Sequence, residues 1–236
     1  MTQDHFPQTQ YTRIDGLLAL GEIGRGQLNS LLMSLYGEPL KVYFLGSSAR
    51  ALGEPDDIVH GFLADRLGRG EYIAQWRSSG LQLRRWLMNG LCLYLRELQK
   101  RERRRQGREL NDDALTFSGD PEREADRAYV VAVVQEAVRR AGDECEARGL
   151  GRHWHAFRRR YYDGLSAREV GAEIGCTPEE ADVMVRSAKR RFRAVLTDLL
   201  AIDAQADGSS PGKGPGSTGG ADLDGTIREL LDALGK

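Results

Sequence analysis

Residues 164–193, GLSAREVGAEIGCTPEEADVMVRSAKRRFR, carry two helix starts eleven residues apart. Ser166 with Glu169, and Thr177 with Glu180, have the spacing of capping boxes, in which a hydroxyl and a carboxylate cover backbone donors that the first helical turn leaves unpaired. Gly175 stands where the first helix must reverse, a position that favours the left-handed conformation, and Pro178 falls at the first residue of the second helix. Val170 and Ile174 lie one turn apart and are expected to face Ala181 and Met184, with Gly171 small enough for a close crossing. The pattern predicts a helix-turn-helix. Its second helix runs into Arg186, Lys189, Arg190, Arg191 and Arg193, five cations in eight residues with no acid among them, for which phosphate is the natural counterpart. An ordinary helical hairpin with a solvated basic face is the plainer alternative, and the double capping box weighs against it.

The 236 residues allow one or two domains, and a composition rich in Leu, Ala, Arg and Glu but only 7% aromatic favours helices over sheet. A net charge of -1 would argue against nucleic acid if the charges were mixed, but they are segregated. Residues 77–108 hold ten Lys or Arg against Glu97 and Glu102. Residues 109–126 hold seven acids against Arg123. Cys92, Cys145 and Cys176 form no close pair, which suits a reducing compartment and core packing rather than a disulfide framework. His153, His155 and Cys145 lack a fourth ligand at zinc spacing, so no metal is expected. No apolar leader follows Met1 and no apolar run approaches a membrane span, so the expectation is a cytoplasmic protein with no membrane span.

Outward from the helix-turn-helix, residues 1–24 read as a polar arm leading into a helix. Apolar residues from Leu28 to Phe44 predict a helix to about Tyr36, a break at Gly37–Pro39, and a further apolar segment. EPDDIVHGFLADRL, residues 54–67, places Pro55 and two acids at a helix start, with Ile58, Val59, Phe62, Leu63 and Leu67 on one side. Residues 81–105 predict a long helix whose stripe is Leu83, Leu87, Leu91, Leu95 and Leu98, with Arg84, Arg85, Arg96, Lys100 and Arg101 around it and Trp86 and Tyr94 beside it. A basic helix bearing aromatics suits single-stranded or melting DNA; the bland alternative is that the rings, Trp76 included, complete the core. Residues 107–127 read as a flexible acidic linker. Tyr129–Val138 and HWHAFRRRYY, 153–162, supply helices before the helix-turn-helix. DGSSPGKGPGSTGG, 207–220, reads as a flexible linker, and DLDGTIRELLDALGK beyond it as a short amphipathic helix that docks back or meets a partner.

In order and spacing, EPDDIVHGFLADRL, LRRWLMNGLCLYLRELQKRERRR, an acidic linker and YYDGLSAREVGAEIGCTPEEADVMVRSAKRRFRAVL resemble the extracytoplasmic-function (ECF) group of the sigma-70 family of transcription initiation factors. They are similar in particular to the forms common in planctomycetes and related bacteria. The resemblance covers residues 25–200. It implies an all-α chain of two small domains, 25–106 (region 2-like) and 128–200 (region 4-like), joined by the linker 107–127, then a Gly/Ser/Pro linker 201–221 and a C-terminal helix 222–236. It also implies, as partners, core RNA polymerase through its β' clamp helices and β flap, promoter DNA, and an anti-sigma or other regulatory protein, with no cofactor. Asp56, Asp57, His60, Gly61 and Ala64, with Ile58 and Val59, match the clamp-helix contact, His60 standing where glutamine is usual. Arg84, Arg85, Trp86, Asn89, Arg96, Lys100 and Arg101 match the segment that captures flipped bases of the -10 element. Thr177, Glu179, Asp182, Val183, Arg186, Lys189 and Arg190 match the helix that enters the major groove at the -35 element.

Leu93 and Cys92 replace an asparagine and a basic residue common in the family, and Glu179 and Asp182 stand where a small residue and a lysine are usual. A carboxylate can accept from a cytosine amino group but is repelled by phosphate. Autonomous -35 binding is therefore expected to be weak, with Arg186, Lys189 and Arg190 holding the backbone and a partner aiding promoter choice. A sigma-like regulator or adaptor is the second reading. An enzyme is the third, and the sequence offers it neither a nucleophile with its base, nor a metal cluster, nor a phosphate-binding loop, since GKGPGSTGG lacks the lysine after its last glycine.

Overall fold

Leucine at every fourth position from Leu83 to Leu95 makes a one-sided apolar stripe. The computed structural model turns it into a 23-residue helix, Leu83–Arg105, in which all four of these leucines are fully buried. The structure describes residues 11–68, 71–107 and 115–203. In these residues the helices are α1 (Tyr11–Ala19), α2 (Gly21–Leu45), α3 (Pro55–Gly68), α4 (Tyr72–Ser79), α5 (Leu83–Arg105), α6 (Pro121–Ala147), α7 (Gly151–Tyr161), α8 (Ala167–Ile174) and α9 (Pro178–Asp203), with one 3₁₀ turn at Arg50–Leu52. An isolated bridge between Ser47 and Phe117 is the one strand-like pairing among the described residues. The all-α expectation holds. No helix among them is long and apolar enough to cross a membrane.

The chain divides into two units. One runs to Ala132 and takes in residues from Ala201; the other runs Val133–Leu200. In the first, α2 packs on α3 and α5. Leu28, Leu32, Leu35, Tyr36 and Phe44 of α2 meet Val59, Phe62 and Leu63 of α3 and the α5 stripe in a core where each is at most 1% exposed. α2 does not break at Gly37–Pro39. It continues through Pro39, which is itself buried. An interior proline removes one hydrogen bond and costs about 3 kcal/mol, while each fully buried Leu, Tyr or Phe beyond it contributes about 1.5–3 kcal/mol. Leu40, Tyr43 and Phe44 together outweigh the proline.

The acidic stretch also differs from its expectation. Helix α6 begins at Pro121, inside the expected linker, with Glu122 and Glu124 in its first turn where the helix dipole favours them. Before it, Leu115 is buried, Ser48 N–H donates to Thr116 O at 2.8 Å and Ser118 N–H to Gly46 O at 2.9 Å. Residues 115–127 are therefore structured, and only 108–114 of the expected linker lie outside the described residues. At the other end α9 runs to Asp203, so residues 201–203 of the expected linker are helical. Residues 204–236, on which the expected C-terminal helix at 222–236 falls, and the first ten residues also lie outside the described set.

In the second unit Trp154, Phe157 and Phe192 form a ring cluster with centroids 5.1 and 5.6 Å apart, continued by Tyr161 at 4.8 Å from Phe157. Val134, Ala137, Ala141 and Cys145 of α6 and Val185, Ala188, Val195 and Leu199 of α9 close this core. Gly142 lets Trp154 approach, since a Cβ there would stand 2.8 Å from its indole nitrogen.

Candidate nucleic-acid interface

The helix-turn-helix of the second unit forms from its local chemistry. Ser166 Oγ accepts from Glu169 N–H at 3.3 Å while Ser166 N–H donates to Glu169 Oε2 at 2.7 Å. Thr177 and Glu180 repeat the exchange at 3.2 and 2.8 Å. Gly175 is left-handed at φ 71° and Cys176 N–H closes the turn on Gly171 O at 2.9 Å. Val170 and Ala181 are fully buried as the seam requires, whereas Ile174 and Met184 are half-buried. Gly171 does more than admit a helix crossing. A Cβ on it would lie 2.7 Å from the carbonyl oxygen of Cys176, so the turn itself sits on the glycine.

The cations of α7 hold this motif. Arg152 donates to Ile174 O at 2.7 Å at the end of α8, Arg160 donates to Leu165 O at 2.7 Å, and Arg159 grips Glu173 at 2.8 Å and Asp163 at 2.9 Å. His155 Nε2 meets Glu173 Oε1 at 3.1 Å. These contacts with Arg159, then His155, hold the Glu173 carboxyl below its ordinary pKa, and the contacts with Ser166 do the same for Glu169. Both groups stabilise the fold above the ordinary carboxylate pKa, and that contribution is lost as pH falls through the depressed values. Replacing Ser166 or Thr177 with alanine is expected to destabilise the unit by about 1 kcal/mol each, read as a shift in urea midpoint with unchanged slope.

On α9, Glu179, Val183, Arg186 and Arg190 are exposed at helical spacing, Val183 at 54%, with Asp182 half-buried beside them. Lys189 lies over the Tyr161 ring at 5.5 Å. Thr177 is exposed, and its hydroxyl serves as the cap. The outward row thus reads acid, apolar, cation, cation along the helix.

In the first unit, α5 turns Asn89, Leu93, Arg96 and Lys100 outward on one row, Leu93 at 55% exposure, with Arg101 exposed next to it. At its N-terminal end this row borders a cleft of about 620 Å³ lined by Arg66, Tyr72, Gln75, Trp86, Asn89 and Leu93 among others. Its inner wall is aromatic, with the Tyr72 and Trp86 rings 5.4 Å apart. Gly90 makes room for Tyr72, because a Cβ there would stand 2.1 Å from the phenol oxygen. Arg66 is 7% exposed and pairs with Glu97 at 3.1 Å. Tyr72 Oη and Trp86 Nε1 are buried and make no hydrogen bond among the described residues, and burial raises the Tyr72 pKa. The aromatics divide: Trp76 is a core residue at 3% exposure donating to Leu81 O at 2.9 Å, Tyr94 covers Gly61, and Trp86 alone of the three borders the cleft.

Arg84 and Arg85 do not join the outward row. Arg84 lies over the Tyr129 ring at 5.4 Å, contacts Asp203 at 3.3 Å, and stands 3.2 Å from Asp126, off line for a hydrogen bond; its backbone N–H donates to Asp203 Oδ1 at 2.8 Å. Arg85 pairs with Asp126 at 3.1 Å and with Glu122. Sequence reasoning missed these acids because Glu122 and Asp126 fell in a presumed linker. The opposed charges of residues 77–108 and 109–126 were the available signal.

On α3, Asp56, Asp57, His60 and Ala64 are exposed on one side, while Gly61 is half-buried under Tyr94. Lys41 binds Asp56 at 2.7 Å, and this pairing is the main reason its carboxyl lies below the ordinary pKa. All three cysteines are free, Cys145 buried, and no three metal-ligating side chains come together among the described residues. Compared with models of known families, with curated proteins and with solved structures, the chain finds no match in any of the three.

Proposed function

We propose that this chain is a transcription initiation factor of the ECF sigma type, which binds core RNA polymerase and directs it to promoters through two DNA contacts. The observation that carries the reading is the cleft beside α5, where Trp86, Tyr72 and Asn89 border the outward row that ends in Arg96, Lys100 and Arg101. Extracting a base from a duplex costs a few kcal/mol, and stacking on an aromatic ring returns about 1–3 kcal/mol per base. The cations alongside suit the phosphates that follow such a base. In the same chain, a doubly capped helix-turn-helix with Arg186 and Arg190 exposed supports a second, duplex contact. The exposed side of α3 supplies a surface for core polymerase. Arg84 and Arg85 are left out of the base-capturing set.

The test is purification with core polymerase, followed by run-off transcription. A stoichiometric complex that initiates at a defined sequence supports the reading, and a chain that forms no complex overturns it. Trp86→Ala is expected to lower run-off initiation about 10- to 100-fold, the loss of one stacked base, while core binding is unchanged. An equal loss of core binding would instead assign Trp86 to folding.

One observation favours a second reading, a sigma-like regulator that needs a partner for promoter choice. Glu179 is exposed on α9 and Asp182 is half-buried beside it, at positions where the resemblance leads one to expect a small residue and a lysine. A complex with core polymerase that initiates only when a further protein is added would select it.

A further inference from the structure

We infer that Arg85 is a phosphate contact held in reserve by Glu122 and Asp126, whereas its neighbour Arg84 is a fixed structural cation; this rests on the nucleic-acid reading above. The two arginines are adjacent in sequence, carry the same charge and lie in one unit with all their partners. Helical spacing separates them. Arg84 shares a side of α5 with Met88, Leu91 and Leu95, all buried, so it points toward the core. Arg85 lies four residues before Asn89 and eleven before Arg96, at the end of the exposed side of the helix.

Their partners differ in the same sense. Arg84 holds Asp203, whose side chain is 7% exposed, and rests over a buried tyrosine. No phosphate chain reaches that carboxylate to replace it. Arg85 holds Glu122, 59% exposed, and Asp126, 33% exposed. Ion pairs this exposed contribute little and are screened by salt, so a polyanion that carries its own condensed counterions can displace them. Glu122 and Asp126 therefore act as stand-ins for phosphate. While they hold Arg85, the outward row presents Arg96 and Lys100 without it; when they are displaced, the row gains one cation at the end nearest Trp86.

The test uses the full chain and a labelled single-stranded oligonucleotide titrated between 50 and 200 mM salt. Glu122→Gln is expected to raise affinity at low salt about threefold or more and to steepen the log–log salt dependence by about 0.7, the value of one added contact to a single strand. Glu124→Gln, an equal change in net charge two residues away, is expected to raise affinity less and leave the slope unchanged. In an Arg85→Ala background the gain from Glu122→Gln falls to that of Glu124→Gln, and its slope change is lost. Equal effects of the two glutamines, or a gain from Glu122→Gln beyond that of Glu124→Gln that survives Arg85→Ala, overturns the inference while leaving nucleic-acid binding intact. Absence of binding by the wild-type chain and every variant overturns the nucleic-acid reading and the inference with it.

Discussion

Replacing Arg84 with alanine is expected to destabilise the first unit by about 3 kcal/mol at neutral pH, because it leaves the Asp203 carboxylate buried without its cation. Asp203 is 5% exposed, accepts from Tyr36 Oη at 3.3 Å and from the Arg84 backbone at 2.8 Å, and gains its charge neutralisation from the Arg84 guanidinium. Even with that partner its pKa is raised, burial being the largest cause. An acid whose folded-state pKa lies above its unfolded value favours folding when protonated. Its penalty is present at high pH and is relieved as pH falls from the raised value toward the ordinary one. Arg84→Ala raises the folded pKa further and so widens that window. The variant should therefore recover part of its lost stability on mild acidification, measured as urea unfolding across pH, where the parent changes less. Asp203→Asn is expected to be near neutral at pH 7, and Arg84→Ala combined with Asp203→Asn to lose far less than Arg84→Ala alone. A double variant as unstable as Arg84→Ala would show that the arginine acts through its packing on Tyr129.

The contrast between Arg84 and the helix-turn-helix marks what the sequence could disclose. Ser166, Glu169, Gly175, Thr177, Glu180 and Pro178 act within a few residues of themselves, so their spacing specifies the structure they make. The α5 stripe is legible for the same reason, since Leu83, Leu87, Leu91 and Leu95 repeat with the helical period. Asp203 is different. Its partners lie 119 and 167 residues away, and nothing near it in sequence announces burial. Pro39 misleads in the opposite direction: its local chemistry predicts a break, and non-local packing of Leu40, Tyr43 and Phe44 overrides it. The start of α6 is within reach of the sequence, because Pro121 followed by acids repeats the pattern with which Pro55 opens α3. Its acidity and the weak apolar periodicity of the stretch concealed it. Of the candidate site, the exposure of Asn89, Arg96, Lys100 and Arg101 on α5 and of Glu179, Val183, Arg186 and Arg190 on α9 was legible, whereas the turning of Arg84 and Arg85 to Asp203, Asp126 and Glu122 was not. The division of the aromatics into core (Trp76), cover (Tyr94) and cleft (Trp86) was not, because three-dimensional neighbours decide it.

Gly171→Val is expected to destabilise the second unit by about 3 kcal/mol or more and, on the function proposed above, to abolish duplex binding through the helix-turn-helix. A valine Cβ would begin 2.7 Å from the carbonyl oxygen of Cys176 and 3.3 Å from the nitrogen of Pro178, and backbone cannot swing aside as a long side chain can. Relief requires the turn to move, and that breaks the 2.9 Å bond from Cys176 N–H to Gly171 O and displaces Thr177 from its cap over Glu180. One added side chain thus removes the turn bond and the second cap together. Glu179→Ala, only eight residues on, is the informative comparison. Glu179 is exposed and caps nothing, so its loss should leave the unfolding midpoint within about 0.5 kcal/mol of the parent while changing which duplex sequences are retained. Urea unfolding and a selection from randomised duplexes, run on both variants, separate frame from code. If Gly171→Val keeps its midpoint, the turn is slack and its positioning of α9 is looser than the packing at Gly171 implies. If Glu179→Ala leaves the selected sequences unchanged, Glu179 takes no part in the proposed reading of bases, and that proposal then rests on Val183, Arg186 and Arg190.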